Sequence, residues 1–134
     1  MIRERLNPPE LFKSPGFSRI IRVEGSMRLI FIAGQTPTDI AYRCDGPGDL
    51  KRQNEQVIDN LTLQLTASGA TWDDVVTRKI YTLQVDELLQ LLRSGEITPP
   101  WKSGEPPTST LLGVTRLSDP EFLIEIEIMA VTAA

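Results

Sequence analysis

Along the stretch FLIEIEIMAV, residues 122–131, apolar and acidic positions alternate. Ile124, Ile126 and Ile128 fall on one side of an extended chain, and Glu125 and Glu127 on the other. Upstream, the same patterning predicts four further strands and two helices. The segment to Gly16 carries Pro8, Pro9 and Pro15 and reads as extended chain. Residues 18–24 alternate around Ile21 and Val23, Gly25-Ser26 makes a short turn, and MRLIFIAG, residues 27–34, is a buried strand, so that the pair forms a β-hairpin. TPTDIAYRCDGPG is a loop by its prolines and glycines. Asp49 is placed to cap a helix whose Val57, Ile58, Leu61 and Leu65 share a face and which ends at Gly69. VVTRKIYTL, residues 75–83, is a third strand. Asp86 caps a shorter helix with Leu88, Leu89 and Leu92 on one stripe, stopped by Gly95. After the proline-rich ITPPWKSGEPP, TSTLLGVTRL gives a fourth strand, and FLIEIEIMAV closes as the fifth.

The order β-β-α-β-α-β-β predicts an α+β fold, a mixed sheet with two helices on one face. The other face must meet water or another subunit. Glu125 and Glu127 share that face with Leu123 and Met129. Acids mixed with large apolar side chains suggest a surface that packs against a neighbour, with carboxylates near the seam; two surface glutamates on an edge strand are the equal alternative.

Composition narrows the chemistry. The chain has 134 residues, enough for one domain spanning residues 1–134, with residues 1–16 as an extended N-terminal segment. No apolar run reaches the ~20 residues of a membrane span, and the first residues lack a signal-type apolar core, so the expected address is cytoplasmic, with no membrane partner. The single cysteine, Cys44, excludes an intrachain disulfide. Beside Arg43 it could be a reactive thiol, and a spectator loop cysteine is the favoured alternative.

The chain has no histidine. Within one chain this excludes Ser-His-Asp and Cys-His nucleophile pairs and histidine-based metal sites, so no metal is expected. Acid–base chemistry must then come from carboxylates, tyrosine, lysine or water. A net charge of −4 argues against a nucleic-acid partner. Arg3, Arg5, Arg19, Arg22 and Arg28 make the first 30 residues locally basic, which reads as a solvated or interface surface.

Three stretches together, FIAGQTP, DLKRQNEQVIDNLTLQLTASGATWDDVV and VTRLSDPEFLIEIEIMAV, resemble the Rid family, the YjgF-like reactive-intermediate deaminases. The resemblance covers nearly all of the chain from Phe17 onward. It implies a chorismate-mutase-like homotrimer with clefts between subunits. It also implies a cofactor-independent hydrolysis of enamines and imines, such as 2-aminoacrylate, in which a cleft arginine grips the substrate carboxylate and a glutamate on the last strand positions water or shuttles protons.

Carried over position by position, the deaminase arginine falls on Thr108; the hydroxyls of Thr108, Ser109 and Thr110 could donate to a substrate oxygen, with simple strand formers as the alternative reading. The family's tyrosine falls on Phe17, its serine before Gly-Gln on Ala33, and an asparagine of the second helix on Leu92. Gly34, Gln35 and the strand glutamate, Glu125, are retained. The cleft therefore keeps its acid and loses its cation. Arg19, Arg22, Arg43, Lys102 and Arg116 are the candidates to replace that cation, and Trp101 and Lys102 could cap the cleft.

Glu125 is the expected catalytic residue, and Phe17, Ala33, Gly34, Leu92, Thr108 and Thr110 are the expected substrate contacts. The expected activity is a hydrolase or acid–base catalyst on a small imine, enamine or carbonyl compound without the amino-acid carboxylate, with little turnover of 2-aminoacrylate. A non-catalytic, small-molecule-binding trimer is the alternative, and a ribonuclease or translation-inhibitor role is a weaker one.

Overall fold

A computed structural model describes residues 1–102 and 104–134. The 18-residue helix α1 (Leu50–Ala67) starts where expected: the Asp49 side chain accepts from the Arg52 N–H, and Gly69, at φ 78°, carries the chain out of the helix. Leu50, Val57, Leu61 and Leu65 are buried on one face, with Ile58 packed at its margin. Helix α2 (Val85–Ser94) begins two residues earlier than the sequence suggested. Gln84 is its N-cap, and Asp86 instead sits in the first turn, where its charge favours the helix N-terminus.

The main sheet has the order β3-β6-β4-β5. Strand β3 (Met27–Gln35) and strand β4 (Val75–Thr82) flank the central, antiparallel β6 (Ile124–Ala133), while β5 (Thr108–Gly113) runs parallel to β4 at the edge. The sheet is thus mixed, with α1 and α2 on one face. Ile124, Ile126 and Ile128 point under the helices and are almost wholly buried, together with Ile32 and Ile80. β5 ends at Gly113 rather than running on to residue 117, where the backbone leaves the ladder after Val114 donates to the Thr82 carbonyl.

The N-terminal region brings one addition and one correction. Within the extended N-terminal segment, β1 (Ile2–Leu6) is a strand that the sequence reading did not assign, paired antiparallel with β2 (Ile20–Glu24) in a separate two-stranded sheet. The expected β2–β3 hairpin therefore does not form. Side-chain anchoring explains the choice. Arg3 donates to the carbonyls of Asp73 and Val131, and Arg5 to those of Pro106 and Glu105, which draws β1 across the main sheet at the Val131 end. Of the arginines that read as a solvated or interface surface, Arg3 and Arg5 fasten this arm to the rest of the chain.

Gln53 performs a comparable task for the loops. From a fully buried position on α1, its amide donates to the carbonyls of Gly46 and Glu121 and its oxygen accepts from the Leu123 N–H. This places the start of β6 relative to α1. Gln53→Leu leaves those backbone groups buried and unpaired, and a loss of about 2–4 kcal/mol in urea unfolding is expected; a change within experimental error would show that water reaches them.

Candidate functional site

The face of the main sheet away from the helices is built by strand register. Tyr81 lies opposite Glu125, Lys79 opposite Glu127, and Thr77 opposite Met129 between β4 and β6. Phe31 lies opposite Met129 between β3 and β6, and β5 adds Thr108, Thr110 and Leu112 beside Thr77, Lys79 and Tyr81. The β1–β2 arm reaches this sheet at the Val131 end, and Val131 is 2% exposed. Elsewhere Leu29, Phe31 and Leu112 stand in solvent, Phe31 at 75% exposure. An apolar, carboxylate-bearing face is thus present, as the alternation in β6 predicted.

Glu125 is held against the backbone of β3. The register between β3 and β6 shifts between Ile32 and Gln35, and the Glu125 side chain occupies the space this irregularity opens. A Cβ built on Gly34 would fall 2.2 Å from Glu125 Oε2 and 3.0 Å from its carboxyl carbon. Gly34 is therefore required for close approach, not for an unusual backbone angle. Ala33 is its exposed neighbour, and its carbonyl accepts from the Gln35 amide. Ala33, Gly34 and Glu125 come together in one protomer.

Beside them the Tyr81 hydroxyl donates to Glu127 Oε1. Burial, and secondarily the Glu127 charge, pushes the Glu125 carboxyl above its ordinary value. The hydrogen bond to Glu127 raises Tyr81 likewise, with burial and both carboxylates adding to it. Proton loss from Glu125 is thus disfavoured, and the Tyr81 hydroxyl lies on Glu127, two residues along the strand.

The remaining expected contacts lie elsewhere in the protomer. Phe17 is fixed beside the start of β5, because Ser18 donates from its N–H to the Pro107 carbonyl and from its hydroxyl to the Pro106 carbonyl. Thr108 follows directly, and its hydroxyl donates to the Val76 carbonyl. In register this end is four residues from the Tyr81–Glu125 pair, about 13 Å along a strand. Thr110 lies between, exposed beside Lys79. Leu92 is on the helix side, packed against the core. Two shallow hollows, one along α2 and one between α1 and residues 96–98, also lie on the helix side, and Glu125 lines neither.

The cations considered as replacements are mostly engaged. Arg43 pairs with Asp39 and Arg22 with Glu4, while Arg19 donates to the Phe12 carbonyl and lies over the Phe17 ring. Arg116 and Lys102 are exposed. Cys44 has its thiol pushed up by burial and by Glu121, Asp119 and Asp45, the opposite of activation. Sequence reading missed Tyr81 and Lys79, although their period-two spacing in VVTRKIYTL was there to place them on the Glu125 face.

Comparison with known proteins bears on the family and the fold. The family model described as Endoribonuclease L-PSP matches residues 12–132. A RutC family protein of Pyrococcus abyssi is 30% identical over 114 residues, 85% of this chain and 84% of that one. Protein DfrA of Myxococcus xanthus is 29% identical over 98% of both chains. The crystal structure of YyfB from Yersinia pestis, a Rid-family protein of unknown function, superposes with a TM-score of 0.83 at 32% identity, covering 97% of this chain and 98% of that one. The chain belongs to the Endoribonuclease L-PSP family, the YjgF/Rid family.

Proposed function

We propose that this protein is a cofactor-independent hydrolase of a small imine or enamine that lacks an α-carboxylate, acting with Glu125 in a cleft completed by a second copy of the chain in a homotrimer. A related carbonyl compound fits the same chemistry. The observation that carries the reading is the Glu125 carboxyl packed over Gly34, desolvated and beside a second carboxylate. A carboxyl so placed stays protonated nearer to neutrality than a solvated one, which suits a general acid. It gives its proton to the imine nitrogen, or to the enamine carbon, producing an iminium ion. Water adds to the iminium carbon, and the Glu125 carboxylate takes the proton this releases. Collapse of the adduct yields a carbonyl compound and ammonia or an amine, and Glu125 is again protonated.

Substrate choice follows from the other half of the cleft. Thr108 stands where the deaminases carry their arginine, and its hydroxyl is already committed to the Val76 carbonyl. It offers no charge to an amino-acid carboxylate, while the neighbouring Glu127 carboxylate would repel one. Phe17 and Thr108 lie too far from Glu125 to share a ligand within one protomer. A neighbouring copy packed on the exposed Leu29, Phe31 and Leu112 would bring the two halves together. The same carboxyl pair also suits holding an amine without turnover, and ligand stabilisation with no product would favour that reading. The net charge of −4 and the paired acids count against RNA as substrate.

Glu125→Gln is expected to lower turnover of the best substrate in an imine and enamine panel by at least about 100-fold, the usual scale for loss of a general acid, with the oligomer intact by light scattering. Unchanged kinetics would remove Glu125 from the mechanism. Release of keto acid from 2-aminoacrylate is expected no faster than in buffer, and clear acceleration would contradict the role assigned to Thr108. Gly34→Ala forces the Glu125 carboxyl out of its niche, so activity should fall about as far as in Glu125→Gln while the fold is retained; full activity would show that the niche is dispensable.

A further inference from the structure

Arg78 stands apart from the other arginines of the chain. It lies on β4 opposite Ile128, so its side chain enters the helix-covered face and not the Glu125 face. There it is partly covered, and loss of water alone brings it down to about 10. Arg22, Arg43 and Arg52 pair with carboxylates, and Arg3, Arg5 and Arg19 donate to backbone carbonyls. Arg28, Arg93 and Arg116 are exposed and solvated. Among the described residues, Arg78 makes no ion pair and a single hydrogen bond, from Nε to Ser109 Oγ at 3.1 Å. The Trp101 ring covers one flat side of the guanidinium, 4.6 Å from Cζ to the ring centre.

This arrangement is one-sided. Ser109 fixes the Nε edge and Trp101 fixes the plane, which orients the two terminal nitrogens as a fork. Those nitrogens have no acceptor among the described residues, and because the side chain is only partly covered an incoming anion can reach them. Ser109 belongs to β5, the edge strand, so the fork sits one strand in from the border of the sheet. A planar pair of N–H donors in this setting matches the two oxygens of a carboxylate or phosphate.

We propose that Arg78, oriented by Ser109 and Trp101, is an anion-binding position that takes the carboxylate or phosphate group of a small diffusible ligand. It is separate from the Glu125 site, since the sheet lies between them, and does not depend on the activity proposed there.

Thermal unfolding of the wild-type protein in phosphate, acetate and chloride at equal ionic strength tests this. Phosphate or acetate should raise the midpoint over chloride in a saturable manner, and Arg78→Met should abolish that increment while remaining at least as stable as wild type in chloride. Equal responses in all three salts would overturn the proposal. So would an anion increment that survives in Arg78→Met. Should that variant not fold, the side-chain 15N–1H spectrum of the wild type decides: the proposal requires one arginine Nε–H resonance to shift saturably with phosphate, and no shift refutes it. Sedimentation separates the remaining source of an acceptor. Arg78→Met that dissociates, with a wild type indifferent to phosphate, would assign the acceptor to a carboxylate of a second copy and refute a ligand site.

Discussion

The strict alternation of β6 is the constraint from which the rest of the molecule follows. Three isoleucines at every second position are buried under α1 and α2, and burying them leaves Glu125 and Glu127 no choice but the opposite face. A slip of one residue would carry both acids into the core and three isoleucines out of it. The register is therefore set by apolar burial, and the position of the acids is its by-product. Gln53, tying the start of β6 to α1, fixes where that register begins.

What turns a by-product into a site is the irregularity in the neighbouring strand. Between Ile32 and Gln35 the β3–β6 ladder shifts, and Gly34 leaves its side-chain space empty. Glu125 fills that space and gives up much of its water in doing so. Tyr81 gives its hydroxyl to Glu127, and among the described residues no side-chain donor or cation favours the ionised form of Glu125. Two chemically identical residues, two positions apart, thereby acquire different surroundings: one accepts a hydroxyl's hydrogen bond, and the other loses its proton less readily.

Much of this was legible in the sequence because it depends on local periodicity. The alternation of residues 122–131, the stripe Val57–Leu61–Leu65 and the caps Asp49 and Gly69 each report on their own element, and each element formed. The family assignment followed from the same motifs. Pairing across the chain was less legible. Nothing within residues 1–16 says that Arg3 and Arg5 find the carbonyls of Asp73, Val131, Pro106 and Glu105, some 70 or more positions away, so β1 and its pairing with β2 were missed and a β2–β3 hairpin was expected in their place. Motif matching named Gly34 and Glu125 together, but the reason they belong together, a carboxyl lying where a Cβ would be, is a distance that no pattern encodes. Tyr81 and Arg78 both sit in VVTRKIYTL, on opposite faces, and only the register separates the one that meets Glu127 from the one that meets Trp101.

The account rests on Glu125 keeping its proton. The direct measurement is a pH titration of the Glu125 side-chain carboxyl by 13C NMR in the native oligomer, assigned by its loss in Glu125→Gln. A midpoint clearly above the ordinary 4.5 is predicted, because burial and the neighbouring Glu127 both disfavour the anion. A midpoint at or below that value would mean that water or a partner's cation reaches the carboxylate, and the proton-donating site described here would not exist.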